Sequence, residues 1–180
     1  FGYMSSVLFI PVSLSALIFF TFPIIVLLYT TVADRNPPTL ATVTAFFAAF
    51  IGLALAIGPS FDILDWRGVI CATIAAVGAS LVMLAGAAAA RNIDPLTLTF
   101  YTQVLCLPIV FGALLSFGNI ALPYHFSGWV ALFMAAIGYI AGICLILLAV
   151  RFAKPAPVSM INNLEPLITL IAAAVILDER

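Results

Sequence analysis

Polar positions punctuate this chain at intervals that suit membrane-spanning helices. Apolar runs cover residues 12–32, 38–57, 67–90, 95–117, 127–150 and 157–177. Each is close to the ~20 residues that a helical bilayer crossing takes. Ile10-Pro11 forms a turn before the first run, because a residue preceding proline avoids the helical region. Asp34-Arg35-Asn36-Pro37-Pro38 is a tight polar turn before the second. Gly58-Pro59 stops the second run, and a short loop with Asp62 and Asp65 follows. Asp94 is placed to cap the fourth helix, with Pro95 in its first turn. A loop holding Pro123, Tyr124 and His125 precedes the fifth run, and Arg151-Phe152-Ala153-Lys154-Pro155 precedes the sixth. Phe1 to Phe9 is too short to span and reads as the tail of another helix. The pattern predicts six spans plus this remnant.

Composition fixes the class. The 180 residues are 66% hydrophobic and 7% charged, against about 25% charged in soluble domains. A soluble fold is excluded, and the chain reads as one all-α integral membrane domain, a polytopic helical bundle. A net charge of −1 gives no reason to expect nucleic-acid binding. Cys71, Cys106 and Cys144 stand singly in apolar runs, with no metal or disulfide spacing. The chain starts at Phe1 without a basic leader, and Arg180 directly follows an apolar run, so both ends read as cut from a longer protein. Basic residues set the orientation. The turns holding Arg35, Arg91, Arg151 and Lys154 must share one side and are predicted cytoplasmic. The other side holds Arg67 and Arg180 with Asp62, Asp65, Asp178 and Glu179.

The sixth span carries the candidate chemistry. Glu165 lies near its middle, where insertion of an acid costs about 2.5–3.5 kcal/mol. Such a residue is a functional-site hypothesis by default. Pro166 has no N–H, so the Asn162 carbonyl loses its helical partner and is free to bind something else. In a continuous helix Ser159, Asn162, Glu165 and Thr169 share one face. Two readings stand. Either this face lines a path and Glu165 binds a cationic group or a proton, or Glu165 bonds a neighbouring helix and fixes packing. In the fourth span, Thr99, Thr102 and Gln103, with Tyr101 beside them, form a second polar cluster. A buried Gln must find partners, so this stripe faces the bundle interior and serves substrate contact or interhelical bonding. In the first span, Ser13, Ser15 and Thr21 either bond the helix backbone or line the path, and Pro23 interrupts the helix. Gly138 and Gly142 have GxxxG spacing, which predicts close packing within the bundle, with dimerisation as the alternative. Tyr124, His125 and Trp129 read as anchors at the membrane edge. His125 is the only histidine, and no nucleophilic triad, zinc-protease or P-loop pattern is present. No enzymatic activity, cofactor or metal is expected.

The chain also echoes itself. Pro11-Val12-Ser13 and Pro157-Val158-Ser159 both open a span with a deeper proline, Pro23 and Pro166, although the match needs a gap of about three residues. The two spans lie five crossings apart and would run in opposite directions. Inverted repeats with broken helices are the pattern of secondary transporters. Pro157-Val-Ser-Met, Leu164-Glu165-Pro166-Leu and Leu177-Asp178-Glu179-Arg180 resemble the end of the ninth helix of EamA-type members of the drug/metabolite transporter superfamily. Ile10-Pro11-Val12-Ser13-Leu14 with Phe22-Pro23-Ile24 resembles the equivalent fourth helix. The resemblance implies a ten-helix, five-plus-five inverted-repeat transporter, incomplete here, covering the end of helix three to helix nine. Residues 1–60 would complete the first repeat, and 61–180 would form the second without its last helix. It further implies a small-molecule substrate (metabolites, amino acids or drug-like compounds), with protons as a possible coupled ion, in a bacterial inner membrane. Two departures stand out: Asp34 lies near where a glutamate is usual, and Phe22 stands where the second repeat has Glu165. The rival class is a non-transporting membrane subunit whose polar residues serve helix association.

Overall fold

The computed structural model of the chain describes residues 2–35, 37–58, 64–117 and 123–169. Asn36, Pro59, Asp62, most of the loop before the fifth span and the Asp178-Glu179-Arg180 end lie outside the described residues. The described residues form eight helices and no strand: α1 (Gly2–Ser6), α2 (Val12–Phe19), α3 (Phe22–Asp34), α4 (Leu40–Ile57), α5 (Trp66–Ala90), α6 (Pro95–Phe117), α7 (Phe126–Phe152) and α8 (Pro155–Asn162). A further helical stretch follows α8 at 165–169. Among the described residues, four segments are long and apolar enough to cross a membrane: Val12–Asp34, Trp66–Ala90, Pro95–Ala113 and Phe126–Phe152. The second predicted run, α4, is 18 residues long, and its apolar part, Leu40–Ala56, is shorter than these. The sixth run is described only as far as Thr169. The protein is an all-α, polytopic membrane protein.

Local chemistry explains the helix ends. The Asp94 carboxylate accepts from the backbone N–H of Leu96 at 3.1 Å and Thr97 at 3.4 Å, so it caps α6 as its position predicts. Asp65 accepts from the Arg67 N–H at 2.9 Å and opens α5. Thr39 caps α4 through a 3.2 Å bond from the Thr42 N–H, two residues beyond the expected proline start. Arg35 ends α3 in the left-handed region, with φ of 53°.

The chain forms two compact units, residues 1–85 with 154–180, and residues 86–153. In the first, small residues let α5 approach its neighbours. Ala72, Ala76, Ser80 and Met83 are buried at spacings of three and four, which is one helical face. A Cβ added at Gly68 would lie 2.8 Å from Ile10 Cγ2, and one at Gly2 would lie 3.0 Å from the Cys71 carbonyl oxygen. In the second unit, α6 packs on α7, and Arg151 reaches Asp94 at 3.8 Å. The expectation for Gly138 and Gly142 is corrected here. Among the described residues, nothing lies within 4 Å of a Cβ built at either position. Tight contacts on α7 lie elsewhere: Leu147 Cδ2 is 2.9 Å from a Cβ built at Gly86, and a Cβ built at Gly128 would lie 2.8 Å from Pro123 Cβ.

Candidate functional site

Two broken helices define the site region, and both lie in the first unit. After α2, Phe20 leaves the helix with φ −72° and ψ 7°, and the Thr21 N–H turns back to the Ile18 carbonyl at 3.1 Å. Helix α3 then restarts with Pro23 in its first turn. After α8, Asn163 adopts φ −66° and ψ −11°, and the Leu164 N–H turns back to the Ile161 carbonyl at 2.9 Å. The helical stretch then restarts at Glu165-Pro166. The cause is shared. Proline lacks the N–H for the carbonyl four residues back, its ring crowds that carbonyl, and the residue before it resists the helical region. Pro23 thus withholds a donor from Phe19, and Pro166 withholds one from Asn162. Each break tightens into one turn of i to i−3 bonding.

The two copies match without a gap, which corrects the alignment on Pro-Val-Ser. Helices α2 and α8 are each 8 residues long. Pro23 stands 11 positions after the first residue of α2, and Pro166 stands 11 after the first residue of α8. Val12 therefore corresponds to Pro155, Phe20 to Asn163, and Phe22 to Glu165. The paired Val-Ser dipeptides fall three positions out of register and have no structural equivalence.

Helices α3 and α8 pack on one another. At their contact, Lys154 Nζ at the start of α8 donates to Asp34 Oδ2 at the end of α3, 2.9 Å away. The end of one meets the start of the other, so they run in opposite directions. The pair is exposed, its side chains 67% and 46% accessible, and contributes at most about 1 kcal/mol to stability. It joins the two turns that the basic-residue pattern places on one side of the membrane.

The break also splits the polar stripe expected on one continuous face. Ser159 is fully buried and donates to the Ala156 carbonyl at 2.8 Å. Asn162 is half-buried, while Glu165 and Thr169 are exposed. Thr169 donates to the Glu165 carbonyl at 2.9 Å, and among the described residues the Glu165 carboxylate has no ion pair. In the first span, Ser15 is buried and accepts from Ser6 Oγ at 2.9 Å. Thr21 donates to the Ile18 carbonyl at 2.6 Å. In the second unit, Thr99 is buried and donates to the Pro95 carbonyl at 2.8 Å; Thr102 is exposed and donates to Leu98 at 2.6 Å. Gln103 is half-buried, and the exposed Tyr101 sets its ring edge-on to Phe100, 5.6 Å between centroids.

Ser80 is absent from the sequence reading, and Asn163, beside Asn162 and just before Glu165, is not among its site candidates. Ser80 of α5 donates both to its own turn, at the Ala76 carbonyl (2.8 Å), and across to the Phe22 carbonyl (3.1 Å), fastening α5 to the restart of α3. Asn163 is 2% exposed, yet neither its Nδ2 nor its Oδ1 has a hydrogen-bond partner among the described residues. An orphaned buried amide costs about 1–3 kcal/mol. A continuous helix puts Asn163 off the face of Glu165, so only the break reveals it.

A polytopic all-α membrane protein with proline-broken, oppositely directed helices has the build of a carrier. The chain belongs to the EamA-like transporter family, whose model matches residues 66–180. It is therefore a membrane transport protein, and a small-molecule substrate and the lipid bilayer are its partners. No curated protein sequence and no solved structure matches it.

Proposed function

We propose that the protein is a secondary carrier for small polar or amphipathic metabolites, amino acids or drug-like compounds in a bacterial inner membrane. The observation that carries this reading is the pair of gaplessly equivalent broken helices, α2–α3 and α8–169, with α3 antiparallel to α8. Unwound segments at corresponding places in two halves let one half rock against the other around a bound solute. On this reading residues 1–60 belong to a first repeat and 61–180 to a second. Glu165 receives a cationic group or a proton, and Asn162, Ser159 and Thr169 flank it along the path. Within the second unit, Gln103, Thr99, Thr102 and Tyr101 form a separate polar stripe on α6 that serves solute contact or interhelical bonding. Ser15 and Thr21 already spend hydrogen bonds inside the first unit, which supports a packing role for them.

The test is uptake by the full protein in proteoliposomes against a metabolite panel, with and without a pH gradient. The wild type accumulates at least one solute, and Glu165→Gln, inserted normally, loses tenfold or more of that uptake. A wild type that moves nothing in the panel removes the carrier reading. A variant with unchanged uptake and unchanged pH response removes Glu165 from the mechanism.

A further inference from the structure

Asn163 stands at the joint of α8, and among the described residues neither of its polar atoms has a hydrogen-bond partner. The buried residues of α3, which packs on α8, are Phe22, Pro23 and Val26, all apolar. The hydroxyls of Thr30 and Thr31 on that helix return to their own backbone. Ser159, one turn before Asn163 and equally buried, gives its proton to Ala156. Among the described residues, helix association therefore leaves the Asn163 amide without a partner, and an interior tuned only for packing would favour an apolar residue here.

We propose that Asn163 is the solute-contacting residue of α8, covered in this arrangement and uncovered when α8 turns at its break. This rests on the carrier reading above. A carboxamide presents one donor and one acceptor side by side. Its complement is a solute with the same pair reversed: a primary or cyclic amide, or another edge with adjacent N–H and C=O groups. Such a solute satisfies both atoms at once, and Ser159 Oγ keeps lone pairs to accept a further N–H. The contact is independent of charge, so it separates recognition at Asn163 from any cation or proton at Glu165.

The experiment uses the full protein in proteoliposomes with two probes, nicotinamide and N,N-dimethylnicotinamide, which lacks the N–H donors. The wild type takes up nicotinamide at least tenfold faster than its dimethyl analogue. Asn163→Leu, which leaves no orphan, raises the unfolding temperature by about 2–4 °C and loses the nicotinamide uptake. In a background without native cysteines, Asn163→Cys reacts with a membrane-impermeant methanethiosulfonate, and nicotinamide slows that reaction. A lower unfolding temperature for Asn163→Leu, undiminished uptake by it, or an Asn163→Cys that never reacts overturns the proposal. Equal handling of both amides by the wild type overturns the assigned solute class. Uptake of other panel solutes by that same wild type leaves the carrier reading standing, so the two failures are told apart.

Discussion

At Gly68 a methyl group has nowhere to go. The Cβ would sit 2.8 and 2.9 Å from the two γ-carbons of Ile10 and 3.0 Å from Phe9 Cβ. Gly68→Ala is expected to destabilise the protein by about 1–3 kcal/mol, the usual cost of overpacking. Gly138→Ala meets no atom within 4 Å among the described residues and sits inside α7, so it should gain up to about 1 kcal/mol from helix propensity. Thermal unfolding in detergent measures both, and a reversed order would contradict the packing of α1 and α2's lead-in against α5. The two glycines also mark what a sequence shows at this scale. A GxxxG spacing announces small residues but not what faces them, and here the crowded glycines are Gly2, Gly68, Gly86 and Gly128. The burial of Asn163 was not legible for a related reason: it depends on a break whose register the residue types do not announce, whereas the Asp94 cap rests on a purely local pattern.

Elements were legible where their signals are local. The limits of α5 and α6 follow from Trp66-Arg67, Asp94 and Pro95, and the structure moves them by no more than a residue. The breaks in the first and sixth spans follow from Pro23 and Pro166. Their mutual register did not, because Pro-Val-Ser attracts the eye while the helix starts that matter, Val12 and Pro155, share no residue type. The break itself is testable. Pro166→Ala restores a donor for the Asn162 carbonyl and lets α8 run through, so the variant should be more stable, by up to about 3 kcal/mol. Its uptake should fall several-fold, because a straight helix has lost its joint. Uptake at the wild-type rate with a raised unfolding temperature would mean that the joint is dispensable.

For the whole molecule, hydropathy alone conveyed the class, since the apolar surface is large and long helices leave little of it covered. Helix α7 keeps Leu132, Phe133, Ile137, Tyr139 and Ile140 exposed along its length, a surface suited to lipid tails. Orientation is the expectation to check here. Cysteines placed in the turns at Arg35, Arg91 and Lys154 should be shielded from an impermeant maleimide added to intact cells and labelled after lysis. Labelling of any one turn in intact cells would reverse the assigned topology. The shared length of α2 and α8 reaches further than it first suggests. Each residue advances a helix by about 100°, so a count of eight sets an angular phase as well as a distance. One residue inserted between Lys154 and Asn163 would leave both helical halves intact and swing the amide a quarter-turn or more out of its buried place. Length variation among such carriers should therefore gather in their turns and be purged from these two short levers.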